Sequence, residues 1–336
     1  MLAAVYYGKE DIRIKNVPTP EPSSGEVLLR VQYGGICGGD MSLYAGKHPR
    51  AKAPLVPGHE IFGRVESAGS DVPDWRPGMR AVVYPLITCG HCAPCREGNA
   101  HVCETLRVIG FDRDGGFAEF VKVSPKDLVP IPDSLSDEEA ALIEPLAVAV
   151  HALENSSFRI GDTVLVTGGG PIGNLVAQVA RASGAREVVI SEVQGYRRQV
   201  AAQMGFATFN PVEENAQQAL QRLLGSPFVD IVFEATGSAA AYKDVVECCK
   251  VRGQIAFVGI PKTPPEVDVL RILFKEISTT SARVYRMRDY LAAISLLSHK
   301  AVDVLPLIER VPLRDAALGF EKMKAASSSI KILLVP

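Results

Sequence analysis

The chain carries almost no net charge. Its 36 Lys and Arg stand against 38 Asp and Glu, a formal net charge of −2, and the basic residues are dispersed. That removes the electrostatic footprint of a nucleic-acid binder or of a protein drawn to an anionic membrane. No uninterrupted apolar run approaches the ~20 residues that span a bilayer. The opening Met1-Leu2-Ala3-Ala4-Val5-Tyr6-Tyr7-Gly8 has no basic segment ahead of a long apolar one. A cytoplasmic protein is expected. Internal repeats and low-complexity linkers are also missing. What remains, 336 residues of which 47% are hydrophobic and 22% charged, is an ordinary globular composition with length for two domains and a substantial core.

Cysteine is where the sequence departs from the ordinary. Cys89, Cys92, Cys95 and Cys103 follow a C-x2-C-x2-C-x7-C spacing within the loop 89–103, which suits four thiolates around one tetrahedral zinc. Turn formers Gly90, Pro94, Gly98 and Asn99 punctuate that loop. Disulfides are the alternative, but cysteines two residues apart suit a common metal better than each other, and nothing indicates a secreted chain. A closed four-thiolate site is structural, because it leaves no position open to substrate. Of the other three cysteines, adjacent Cys248 and Cys249 read as buried apolar packing, and Cys37 stands alone.

The hydrophobic rhythm changes along the chain. Residues 1–150 hold short alternating or β-branched runs, such as Glu26-Val27-Leu28-Leu29-Arg30-Val31, broken by Pro and Gly, and read as a mainly β domain. From about Asp162, continuous buried-strand runs (Thr163–Thr167, 188–191, 229–233, 254–258) alternate with helical periods. That pattern predicts a doubly wound parallel α/β sheet over 151–284. The segment 285–336, ending in the strand run 330–334, is expected to return to the first domain.

Gly168-Gly169-Gly170-Pro171-Ile172-Gly173 satisfies G-x-G-x-x-G directly after a strand and at the start of a helix. Its glycines allow a tight turn and close approach of a pyrophosphate, which the free N–H groups of the helix start can bind. Glu192 ends the next strand, about 20 residues on, where an acidic side chain accepts the hydroxyls of the adenosine ribose and opposes an extra phosphate. NAD is therefore the expected cofactor, with Arg197 and Arg198 close enough to soften the preference.

Cys37 in Gly35-Ile36-Cys37-Gly38-Gly39-Asp40 and the pair in Pro57-Gly58-His59-Glu60 each have a dull explanation when taken singly. Together with the knuckle, Asp114-Gly115-Gly116-Phe117-Ala118-Glu119, Glu144-Pro145-Leu146-Ala147, the glycine loop and Ala235-Thr236-Gly237, they resemble the medium-chain zinc-dependent alcohol and polyol dehydrogenases over nearly the whole chain. The resemblance implies a GroES-like catalytic domain joined to a Rossmann domain, with one catalytic and one structural zinc. It implies that Cys37 and His59 ligate the catalytic ion, with Glu60 or Glu144 as the third ligand, and that Asp40 fixes the histidine ring. Zinc would act as a Lewis acid on the substrate oxygen while hydride passes to nicotinamide.

Two positions depart from that family's pattern. Where many members carry Ser or Thr, and His three residues later, this chain has Gly39 and Ser42. The substrate proton is then expected to leave through water and Glu144, or through Ser42 or Tyr44. The resulting expectation is an NAD-dependent dehydrogenase acting on a secondary hydroxyl of a small polyol, sugar alcohol or sugar acid, and assembled as a homodimer or homotetramer. A cyclitol or aminocyclitol dehydrogenase is one alternative. A non-catalytic NAD-binding protein is another, for which the Cys37, His59 and glutamate set would have no use.

Overall fold

The computed structural model describes all 336 residues and divides the chain into two compact units. Unit one comprises Met1–Glu144, Leu297–His299 and Leu307–Pro336, and unit two comprises Pro145–Leu296 and Lys300–Pro306.

Unit one starts with β1 (Leu2–Gly8) and β2 (Asp11–Asn16), an antiparallel pair. It continues through β3 (Val27–Ile36), α1 (Gly38–Tyr44), β4 (Glu60–Ala68), β5 (Arg80–Val83), β6 (Leu86–Ile87), α2 (Ala93–Arg96), β7 (Arg107–Val108), β8 (Phe120–Val123), β9 (Leu128–Pro130) and α3 (Asp137–Ala141). Alternation in β3 sends Val27, Leu29 and Val31 into a core with Ile61, Val65, Ala81, Val83, Val121 and Val123. Arg30, on the other face, stays exposed and pairs with Glu66 at 2.9 Å. This is the period-2 pattern of a sheet with one covered face.

After α4 (Ile143–Glu154), strands and helices alternate: β10 (Thr163–Thr167), α5 (Pro171–Ala182), β11 (Glu187–Ser191), α6 (Gly195–Gln203), β12 (Ala207–Phe209), α7 (Ala216–Leu224), β13 (Val229–Glu234), α8 (Ala239–Cys248), β14 (Cys249–Phe257), α9 (Val269–Phe274), β15 (Ser278–Ser281) and α10 (Met287–Ser298). The six strands form one parallel sheet in the order β12-β11-β10-β13-β14-β15. Renumbered from β10, that is 3-2-1-4-5-6, the order of a Rossmann dinucleotide fold. All five residues of β10 are buried, as expected of a parallel strand covered on both faces.

The chain then returns to unit one with β16 (Ile308–Pro312), α11 (Ala316–Ala325) and β17 (Lys331–Val335). β17 adds to β3 and completes a seven-stranded sheet, β16-β17-β3-β4-β5-β9, with β8 also paired to β3. The return begins later than residue 285. Most of α10 stays in unit two, where buried His151 Nδ1 and Asp289 Oδ2 lie 2.7 Å apart. The Asp303 N–H likewise donates to Gln178 Oε1 at 2.7 Å. These polar contacts, the first of them buried, join the segment to the rest of unit two.

Candidate functional site

Strand pairing in unit one gathers residues that are far apart in sequence. β3 runs antiparallel to β4 with Gly35 opposite Glu60, and antiparallel to β17 with Ile36 opposite Ile332. Cys37, just past the end of β3, therefore meets His59 and Glu60 at the start of β4, and Lys331 at the start of β17. Cys37 Sγ lies 3.1 Å from His59 Nε2. One ligand atom each from Cys37, His59 and Glu60 falls within a 4.8 Å group.

Local sequence fixes Cys37. It is the N-cap of α1, its Sγ accepting the Gly39 N–H at 3.0 Å while Asp40 Oδ2 accepts the Cys37 N–H at 2.9 Å. This reciprocal capping box holds the sulfur still and places buried Asp40 beside the histidine. Asp40 Oδ1 faces His59 Nδ1 at 3.9 Å, and both atoms are buried without a hydrogen-bond partner.

The electrostatics of this group call for a cation. Burial raises the Cys37 thiol and the Asp40 carboxyl above their ordinary ranges. Burial opposes a charge on His59, yet Cys37, Asp40 and Glu144 together lift it well above the usual imidazole range. Buried acids crowded around one soft sulfur and one imidazole are a donor set that suits zinc. Glu144, buried in the first turn of α4, acts on His59 through its charge. Lys331, 1% exposed, forms an ion pair with Glu60, and its Nζ donates to the Ile36 carbonyl at 2.9 Å. Sequence reasoning did not single out Lys331. The signal was present as a lysine inside the apolar run 330–334, since a buried lysine requires a partner.

Position 39 has no room for the hydroxyl residue of the family's usual relay. A Cβ there would lie 2.8 Å from Phe111 Cζ and 3.2 Å from Cys37 Sγ. The Phe111 ring packs against His59 with centroids 4.8 Å apart and stacks on His48 at 4.4 Å. Ser42 sits half-buried on α1. The Tyr44 hydroxyl donates to Glu321 at 2.8 Å, and burial together with that carboxylate pushes its pKa up to about 12. Phe111 and His48 also escaped the sequence reading as neighbours of the metal ligands, because loop conformation alone creates their contacts.

The knuckle places its four sulfurs within 4.8 Å of one another, with Cys89–Cys95 at 3.9 Å and Cys92–Cys103 at 3.8 Å. Tetrahedral zinc with Zn–S bonds of ~2.3 Å implies sulfurs about 3.8 Å apart, whereas a disulfide needs ~2 Å. All seven cysteines are free. Backbone N–H groups of His91 and Cys92 draw the Cys89 thiol down to about 6, so one thiolate is favoured before metal arrives.

Unit two carries the glycine loop between β10 and α5. Gly170 caps α5 without a side chain, leaving its first N–H groups free for an anion, and Pro171 follows as the first helical residue. Ile172 lies half-buried in that same turn. Gly173 admits no substitute, since a Cβ would lie 1.8 Å from the Gly168 carbonyl oxygen. Buried Glu192 accepts the Gly169 N–H at 2.6 Å and the Gln194 N–H at 2.7 Å. Arg197 Nη1 comes within 3.5 Å of the position a Gly170 Cβ would occupy, and its buried Nε has no partner. An anion-binding helix start, an acidic strand end and an unpaired guanidinium nitrogen together fit a dinucleotide.

Residues 23–133 match the alcohol dehydrogenase GroES-like domain, and residues 171–299 match the zinc-binding dehydrogenase family. Across 336 residues the chain is 35% identical to a 2-dehydro-3-deoxy-L-galactonate 5-dehydrogenase of Pseudoalteromonas atlantica, covering 99% of this chain and 98% of the relative. It is 32% identical to an L-threonine 3-dehydrogenase of Escherichia coli over 97% of this chain and 96% of that one. Among solved structures it resembles a putative zinc-binding dehydrogenase from Sinorhizobium meliloti bound to NADP, with a TM-score of 0.93 and 34% identity over 100% of this chain and 99% of that one.

Proposed function

Because the chain belongs to the zinc-dependent medium-chain alcohol and polyol dehydrogenases, we propose that it oxidises a secondary hydroxyl of a sugar acid, polyol or sugar alcohol with NAD. The observation that carries this reading is the Cys37–His59–Glu60 group, with Cys37 half-buried and the other two buried. A non-catalytic nucleotide binder would have no use for it. The sugar-acid relative argues for the same substrate class, and the threonine dehydrogenases mark the main rival.

In this reading Cys37, His59 and Glu60 hold one zinc, and the four knuckle thiolates hold a second. The catalytic ion supplies Lewis acidity toward the substrate oxygen. Asp40 keeps the His59 ring in one orientation. NAD, when bound, would supply the hydride acceptor by which the carbinol becomes a carbonyl, and Glu144 would take the hydroxyl proton through water. The glycine loop anchors the cofactor's pyrophosphate, and Glu192 accepts its ribose hydroxyls. Arg197, whose Nε lacks a partner, pulls the other way and tempers the preference for NAD.

Seven cysteines without a disulfide among them, five of them assigned to zinc, suit a reducing compartment, which supports a cytoplasmic location. No helix is long and apolar enough to cross a membrane. Val269, Leu270, Leu273 and Phe274 on α9 are all at least 64% exposed. A contiguous apolar surface of this kind supports a homo-oligomer, dimer or tetramer.

The test is a spectrophotometric screen of hexonates and deoxy sugar acids, polyols, cyclitols and L-threonine with NAD and NADP. Highest kcat/KM on a sugar acid or polyol with NAD is expected. A preference for L-threonine or a cyclitol would overturn the substrate reading, and a preference for NADP would overturn the reading of Glu192.

A further inference from the structure

His48 lies outside both metal groups and is held by an unusual set of contacts. Its Nδ1 accepts the Ala51 backbone N–H at 3.0 Å and lies 3.4 Å from the Arg50 N–H, which points to it as well. Its ring stacks on Phe111 at 4.4 Å and 26°, and the other neighbour of Phe111 is the His59 ring. The loop is pinned a second time by Arg50, whose Nε and Nη2 each donate to the Asp112 carboxylate at 3.0 Å, while Asp112 also accepts the Val108 N–H at 2.8 Å. Two successive contacts, His48 on Phe111 and Arg50 on Asp112, therefore lock this loop one aromatic ring away from a metal-ligand candidate.

The locking decides the tautomer. A nitrogen that accepts backbone N–H groups carries no proton, so neutral His48 is protonated on Nε2. Protonating the ring would set an Nδ1–H against those backbone donors. Partial burial and the Arg50 guanidinium also work against the cation, as does His59, and the opposing pull of Asp112 does not overcome them. Half-exposed His48, in its neutral form, thus carries an Nε2–H that makes no hydrogen bond within the chain.

We propose that His48 is a substrate-recognition residue of this dehydrogenase, its Nε2–H donating to a hydroxyl or carboxylate oxygen a few atoms from the carbon that loses hydride. It is a fixed donor and not a base, since the nitrogen that would take a proton is already committed to the backbone. This assigns it specificity for an oxygen-rich substrate rather than a part in proton transfer, and it rests on the sugar-acid and polyol reading above. The geometry also accounts for the chain having Phe111 where it does: the ring fills the space above Gly39 and serves as the platform on which His48 stacks.

Two variants of the zinc-loaded enzyme test the proposal. His48→Phe keeps a flat ring on Phe111 but removes both the donor and the Nδ1 acceptor of the Ala51 N–H, a loop effect that would show on every substrate, and His48→Gln restores an N–H at similar reach. With the best sugar acid or polyol, His48→Phe should raise KM about ten-fold, the effect of one hydrogen bond, with kcat little changed, and His48→Gln should recover part of the loss. With 2-butanol, which has no second oxygen, wild type and His48→Phe should be equal. Nitrogen-15 spectra of labelled histidines, with the His48 signals assigned by their loss in the variant, should show the Nε2–H tautomer and a ring that titrates below the ordinary imidazole range. Equal losses on both substrates, no change on either, or an Nδ1–H tautomer would overturn the proposal. A wild-type enzyme inactive on every sugar acid and polyol would instead bring down the functional reading, and this inference with it.

Discussion

Lys331 and Glu60 form a buried ion pair across the end of β3, which β17 and β4 flank. The lysine also donates to the carbonyl of Ile36, the residue immediately before Cys37. One ammonium therefore tethers a candidate metal-ligating carboxylate and the backbone that presents the ligand thiol.

Lys331→Met leaves Glu60 buried beside other acids with no counterion. Removing one partner of a buried pair typically destabilises by about 3–5 kcal/mol, whereas replacing both is far milder. Urea unfolding of the metal-free protein should show Lys331→Met much less stable than wild type, and the double variant Lys331→Met, Glu60→Gln should regain much of that difference. If the double variant is no more stable than the single one, the pair is not what the lysine provides.

The two cysteine groups should separate in a metal analysis. Wild type should contain two zinc ions per chain, and Cys37→Ser and Cys92→Ser one each. Cys37→Ser should unfold like wild type while losing activity, and Cys92→Ser should lose thermal stability first, because the loop 89–103 buries only His101 and Cys103 and the ion would cross-link its whole length. Acid should release the knuckle metal by the same chemistry. Cys89 has its thiol drawn below its ordinary range to about 6 in the folded loop. A depressed pKa contributes stability above the unfolded value that is lost as pH falls through the folded one. In the metal-free loop that contribution is complete only above the ordinary thiol value and fades toward about 6. Bound zinc holds its thiolates ionised further into acid, so protons should displace the knuckle ion only at a pH below that metal-free value. Metal analysis showing the knuckle zinc lost already on going from pH 9 to pH 7 would contradict this.

Much of this was legible in the sequence, for identifiable reasons. The parallel sheet announced itself because strands buried on both faces, such as Thr163–Thr167, read as unbroken apolar runs between helical periods. The knuckle was legible because its four ligands lie within a single loop, where spacing nearly equals geometry. Lys331 was not, since its partner carbonyl is 295 residues away in sequence and only strand pairing joins them. Nor was the Phe111–His48 stack, because aromatic contacts between two irregular loops leave no period to read. The late return of the chain to unit one was hidden for a similar reason, as it depends on the buried pair His151 and Asp289.

Gly39 invites an obvious repair, and the repair should fail. Putting the family's hydroxyl back with Gly39→Ser sets a Cβ 2.8 Å from Phe111 Cζ and 3.2 Å from Cys37 Sγ, so a ring or a ligand must shift. The variant should show lower kcat and weaker zinc retention. Gly39→Ser combined with Phe111→Ala, which clears the space, should recover zinc relative to the single variant. A single variant with wild-type zinc content and higher kcat would show that the ring yields freely and that its packing imposes nothing on position 39.

The proposed route for the substrate proton through Glu144 can be tested directly. The Gly39 position offers no hydroxyl, and the Tyr44 hydroxyl is spent on Glu321 with its pKa pushed up to about 12. His48 is committed as a donor through its backbone contacts. That leaves Ser42 and Glu144, and of the two only Glu144 is a carboxylate, with its charge acting on His59. Glu144→Gln keeps the shape and removes the base, so an enzyme that still carries two zinc ions should lose about 10²–10⁴ in kcat for oxidation, the usual contribution of a positioned base. Its pH profile should also lose the limb that rises as a carboxylate ionises. The alternative is a purely structural glutamate, for which zinc content or stability would change and the pH profile would not. Normal rates and pH dependence in Glu144→Gln, together with a large loss in Ser42→Ala, would move the proton path to the serine hydroxyl.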